Sequence, residues 1–197
     1  MMTTATALDP PDSRPVRAVA IRPVSAGDRP AIQAMHRRCS VDTLRRRCLQ
    51  PPTRTPDGAV VDALVDWMFD ASLGVTLAAW VPCGVVGLGH LVRVPRDPGV
   101  GEVGFLVEDR WQGRGIGTTL TDLVTRLAVH DGLAQLRAEV ALDNTRMLRV
   151  LRGRSWQSQI ADGVYRLDLD LVHGPVHGAD HWRGPGALSW PVVHALR

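Results

Sequence analysis

One segment constrains the fold more than any other: Glu102-Val103-Gly104-Phe105-Leu106-Val107-Glu108-Asp109-Arg110-Trp111-Gln112-Gly113-Arg114-Gly115-Ile116-Gly117-Thr118. Its first part, as far as Val107, reads as a strand. After the loop, Ile116, Leu120, Leu123, Val124, Leu127 and Ala128 recur at the spacing of an amphipathic helix. Three glycines in five positions, Gly113, Gly115 and Gly117, join the two. Such a loop takes left-handed backbone and admits close approach, and the amides of the first helical turn point at it. This is an anion site, where a phosphate or pyrophosphate meets several N–H donors and the positive end of the helix, with a hydroxyl from Thr118 or Thr119. The plain alternative is a glycine turn that only joins strand to helix.

Composition narrows the anion. All 23 basic residues are arginine, so a lysine-dependent phosphate loop, a Schiff-base enzyme and a pyridoxal phosphate anchor are excluded. A dinucleotide fingerprint wants Gly or Ala at Thr118 and a place after the first strand of a parallel unit, whereas this loop follows a meander. Of the 20 acidic residues only Glu102, Glu108 and Glu139 are glutamate, so chemistry that needs a glutamate has few places to go.

The 197 residues, 45% hydrophobic and 22% charged, predict one α/β (α+β) domain over 16–172. A leader over 1–15 and a Gly/Pro/His-rich tail over 173–197 flank it, the leader read as disordered. Patterning predicts a strand Val16–Val24 and a helix capped by Asp28 running to Arg38. A short helix capped by Ser40 through Arg47 and a third capped by Asp57 follow. Then come antiparallel strands Val75–Val81, Val85–Val94 and Gly101–Val107, the loop helix, a strand Leu133–Leu142, a helix Thr145–Arg152 and a last strand from Val164 to Leu171.

His173, His177 and His181 stand four apart, but Gly174, Pro175 and Gly178 argue against the helix that would align them, so no metal is expected. Cys39, Cys48 and Cys83 have no short metal spacing and read as idle thiols of a reducing compartment. A net charge of +3 with scattered arginines gives no reason to expect a nucleic acid partner. No secretory signal and no 18-residue apolar run appear, so the expected setting is cytoplasmic, without a membrane partner.

Gln112-x-x-Gly115-x-Gly117 between strand and helix resembles motif A of the GNAT acyltransferases, and Asp143-Asn144-Thr145-Arg146-Met147-Leu148 resembles that family's asparagine-led helix. The order of elements over about residues 16–171 fits as well. Within the family, Ser40-Val41-Asp42-Thr43-Leu44-Arg45-Arg46-Arg47 and Gly101-Glu102-Val103-Gly104-Phe105 are most similar to the bacterial Pat-type protein lysine acetyltransferases. The resemblance implies a twisted, mostly antiparallel sheet that splays open at the acetyl-CoA site and is flanked by helices.

It implies acetyl-CoA as co-substrate, its pyrophosphate on the loop formed by Gln112, Gly113, Arg114, Gly115, Ile116, Gly117 and Thr118. The pantetheine arm is expected against the backbone of Leu106 and Val107, with Asn144 as a side-chain contact, a helix cap, or both. Arg114 is expected at a phosphate oxygen or simply in solvent. Glu102 is the implied general base for an amine acceptor, its alternative a solvent-facing strand charge. Many members carry a tyrosine seven residues after the asparagine to protonate the leaving thiolate; here that place holds Leu151, and the usual Gly-aromatic pair after the helix is Ser155-Trp156. The implied reaction is acetyl transfer to a primary amine, first of all a protein lysine. A small amine acceptor and a silent acyl-CoA-binding module are the alternatives.

Overall fold

Side chains that alternate along the strands divide the interior into two cores. In β2 (Gly74–Val81), Val75, Leu77, Ala79 and Val81 enter one core while Ala78 enters the other. The computed structural model describes residues 19–50, 58–70, 72–153 and 155–171. The leader over 1–15, the Asp57 cap and the tail with its three histidines lie outside them.

Seven strands form one open sheet in the order β1-β2-β3-β4-β5-β7-β6, where β1 is Ala20–Pro23, β3 Gly84–Val94, β4 Asp97–Val107, β5 Gln135–Ala141, β6 Gln157–Ala161 and β7 Val164–Asp170. Every neighbouring pair is antiparallel except β4 with β5. One face carries α4 (Ile116–His130) and α5 (Thr145–Arg152), which bury Ile116, Leu120, Val124, Leu127, Leu148 and Leu151. Burying side chains of this size contributes roughly 1.5–3 kcal/mol each, so this amphipathic face holds the helix to the sheet. The other face carries α1 (Arg29–Arg38) and α3 (Gly58–Met68), whose Ile32, Met35, Val65 and Met68 pack on Ala78, Val85, Leu88 and Leu106. Between α1 and α3, α2 (Val41–Arg47) contacts both β4 and β5.

The parallel pair is short. Val100, Gly101, Glu102 and Val103 pair with Gln135, Leu136, Arg137 and Ala138, and beyond Val103 the two strands part. β4 continues to Val107 and β5 to Ala141 without pairing each other, so the sheet is split by a V that opens toward the glycine loop.

Most expected elements are present, with differences that have physical causes. β4 starts at Asp97 rather than Gly101, because Pro95 and Arg96 alone make the turn and Pro98 stands at a strand start, where its missing N–H is tolerated. Asp28 does precede α1, but its side chain makes no cap bond; it accepts from Arg22 at 2.7 Å twice and from the Ser25 amide at 2.8 Å. β6 was not expected from the pattern, since Gln157-Ser158-Gln159-Ile160-Ala161 is an exposed edge strand with one large apolar residue. The signal that finds it is Asp162-Gly163, both at positive φ, the pair that a tight hairpin turn demands.

Candidate active site

A cleft of about 720 Å3 fills the V and runs up to the loop, lined by β4 from Glu102 to Val107, by the Gly113, Gly115, Gly117 and Thr118 positions, by Asn144 and the start of α5, and by α2. Gly113 and Gly115 have φ of 74° and 83°, the left-handed region that the loop required. Gly117 is helical, and a Cβ there would lie 4.0 Å from Val107. The amides of Ile116 and Gly117 fall in the first turn of α4, which the helix does not use itself.

Several site residues expected from the sequence reach the cleft only through their backbone or lie outside its lining. Ile116 is 1% exposed in the core, so only its amide reaches the loop. Arg114 is outside the cleft lining, with its guanidinium 5.3 Å from the centre of the Trp111 ring. Gln112 turns inward: its Nε2 donates to the Val107 carbonyl at 2.9 Å and to Thr43 Oγ1 at 3.1 Å, and its Oε1 accepts from Arg146. It is a hub that joins β4, α2 and α5.

Because the Val107 carbonyl faces Gln112 while the Glu108 amide donates to Val86 of β3 at 3.0 Å, strand alternation turns the backbone groups of Phe105 and Val107 into the V. Leu106 lines the cleft as well. Its backbone pairs with β3 and its side chain joins the core beneath α1, while Phe105 offers its backbone on the cleft side. Asn144 accepts from the Met147 amide at 3.1 Å, the N-cap of α5, and lines the cleft as well.

Glu102, Gly104 and Leu106 share one sheet face, the face of α1 and α2. Glu102 is exposed to the cleft. Directly over Gly104 lies the Arg47 guanidinium: a Cβ there would be 2.8 Å from one of its nitrogens. Burial pushes the Arg47 pKa down, with Cys48 and Glu102 acting the other way. The two histidines near it stay neutral. Burial is the main cause for both His36 and His90, and His90, paired with Thr76 Oγ1, falls to about 3.

Paired charges fasten α2 across the V. Ser40 and Thr43 donate to Asp109 on the β4 side, at 2.6 and 2.8 Å. Arg45 and Arg46 pair with Asp143 on the β5 side, the latter at 3.2 Å. The hydrogen bond from Arg45 holds the Asp143 carboxyl below the usual range; burial acts against the charge of Asp109, yet the bonds from Ser40 and Thr43 hold it low too. Glu108 is buried between Arg38, at 2.9 Å, and Arg110, so it is committed to structure. Glu139 pairs with Arg166 at 3.1 Å. Leu151 is completely buried, and Tyr165, opposite Val140, does not line the cleft.

The acetyltransferase (GNAT) domain family matches this sequence over residues 19–153. The chain belongs to the GNAT family. Among relatives, acetyltransferase Pat of Mycolicibacterium smegmatis is 30% identical over 161 residues, 77% of this chain and 45% of that protein, so the chain spans less than half of that relative. The GNAT domain of PAT from S. lividans superposes with a TM-score of 0.65 at 26% identity, covering 77% of this chain and 89% of that one. A GNAT superfamily phosphinothricin acetyltransferase from Sinorhizobium meliloti, solved with acetyl-CoA, has a TM-score of 0.63 at 16% identity over 82% of this chain and 95% of its own, a likeness of fold alone. The split sheet and glycine loop therefore belong to a GNAT domain.

Proposed function

We propose that this GNAT chain transfers an acetyl group from acetyl-CoA to a primary amine, a protein lysine side chain, with Glu102 as general base. The parting of β4 and β5 beyond Val103, with two left-handed glycines at the open end, carries the reading. The gap presents the Phe105 backbone and the Val107 amide to an amide-bearing arm, while Gly113, Gly115 and the first-turn amides of α4 suit a pyrophosphate. Asn144 stands beside the same path.

An amine must be neutral to attack, because a protonated nitrogen has no lone pair. Glu102, exposed at the narrow end of the cleft, accepts the proton as the nitrogen bonds to the thioester carbon. The carbonyl oxygen gathers charge and is met by a strand amide at Val107; the carbon–sulfur bond then breaks and the thiolate leaves. A thiol with a pKa near 8.5 is a good leaving group, so Leu151 in place of an acid leaves the step intact. No helix among the described residues is long and apolar enough to cross a membrane.

The test follows free CoA with acetyl-CoA and lysine-bearing acceptors, for the parent and for Glu102→Gln. Release by the parent and its collapse in the variant support the reading; equal rates sink the base assignment. Release only with free small amines moves the acceptor to that class. The buried Leu151 favours one further reading, a module that binds acyl-CoA without turnover, which predicts a thermal shift and no release.

A further inference from the structure

The three successive arginines of α2 are not equivalent. Arg45 and Arg46 are matched by Asp42 and Asp143. Arg47 makes no hydrogen bond or ion pair with a described residue, and its Nε is sealed from solvent without a partner. Glu102 acts on it only at a distance, and a half-buried guanidinium without a hydrogen-bonded partner is costly and ordinarily paired. The chain accommodates it at a particular spot: Gly104 offers no side chain, and any Cβ there would collide with the guanidinium. Gly104 is the first β4 residue beyond the last β4–β5 pair, so Arg47 lies at the apex of the V, one pleat from Glu102 on the same face.

We propose that Arg47 is a specificity-determining residue that binds a carboxylate carried by one of the two reactants. The proposal rests on the reading of the cleft as an acyl-CoA site: an arm entering from the glycine loop brings its acyl carbon toward this apex, and Glu102 marks where the amine arrives. A carboxylate at either position meets a planar, preorganised fork of donors suited to bidentate pairing. Two sources supply the same chemistry, the far end of a dicarboxylic acyl chain or a carboxylate beside the acceptor amine. An acetyl group with a carboxylate-free acceptor leaves the guanidinium without a hydrogen-bonded partner. Arg47 forms and breaks no covalent bond; it places the substrate for attack.

Matched pairs test this in the full chain. Donors are succinyl-CoA against acetyl-CoA with one amine; acceptors are a free amino acid against its amide with one acyl-CoA. The parent is expected to favour the carboxylate-bearing member of one pair by roughly 10- to 100-fold in kcat/KM, the donor pair identifying an acyl source and the acceptor pair an amine source. Arg47→Gln brings that ratio close to one while the thermal shift given by CoA itself persists. Arg47→Lys keeps an intermediate ratio, and decides the matter should Arg47→Gln fail to fold. No preference in either pair by the parent, or a preference that survives substitution, overturns the Arg47 assignment while leaving the acyltransferase reading standing. Absence of any shift with acyl-CoA contradicts that reading itself, and the proposal with it.

Discussion

At the scale of single residues, the proposed chemistry rests on Glu102. Glu102→Gln removes the proton acceptor but keeps the shape, so kcat is expected to fall by about 10²- to 10⁴-fold with the acetyl-CoA thermal shift unchanged; a loss below a few-fold would assign the proton to water. Ser155 tests the backbone. It sits at φ 61° where the family's pattern has glycine, and a side chain in that region is strained. Ser155→Gly should therefore stabilise the fold by about 0.5–1 kcal/mol in urea unfolding, the strain relieved being partly offset by the extra freedom of glycine in the unfolded chain.

The residue scale is also where the sequence was least legible. Glycines and a glutamate at fixed spacing announce themselves, but the inward turn of Gln112, the commitment of Leu106 to the core and the stacking of Arg114 on Trp111 depend on neighbours that spacing does not encode. Arg47 was readable only as one of a basic trio. Its separate character comes from the bare backbone of Gly104, 57 positions later in the sequence, and from acids that reach Arg45 and Arg46 but not Arg47.

At the scale of elements, the loop and the helix it opens form the proposed acetyl-CoA site. Gly115→Ala forces a Cβ into the left-handed region at the N-cap of α4, at a cost of roughly 1–2 kcal/mol, and tilts the amides that face the cleft. Weaker stabilisation by acetyl-CoA is expected, read as a smaller thermal shift at equal ligand; an unchanged shift would detach the loop from binding. The corner between β1 and α1 gives an independent prediction. Asp28, 9% exposed, accepts two bonds from Arg22 and others from Ser25, and the Arg22 bond is the main reason its carboxyl is held far below the usual range.

A depressed folded-state pKa contributes stability in full above the unfolded value near 4, and the contribution is lost as pH falls through and below that value. Asp28→Asn should cost about 1–2 kcal/mol near neutrality, limited by the solvent screening of the half-exposed Arg22, and should flatten the acid limb of the stability profile. An acid limb identical to the parent's would show that the pair contributes nothing. Elements were well marked in the sequence wherever one face is buried, because burial imposes a period. β6 shows the converse, an edge strand without a buried face and hence without a period, betrayed only by its turn residues.

At the scale of the whole molecule, the seven strands exist to be interrupted: two stiff halves meet over only four paired positions, and α2 fastens them across the gap through Asp109 on one side and Asp143 on the other. The order of elements made this architecture legible through family resemblance, while the length of the parallel pairing, which sets where the cleft ends, followed only from the register. The absence of lysine from the chain acquires a practical use. Acetyl-lysine in a reaction mixture cannot come from this chain, so the acceptor reports without a background.

The most direct measurement incubates the protein with acetyl-CoA and lysine-bearing protein acceptors, and quantifies free CoA together with acetyl-lysine by mass spectrometry. The predicted result is acetyl-lysine on the acceptor in step with CoA released, abolished by Glu102→Gln. Acetyl-CoA bound without release, for every amine offered, would contradict the account.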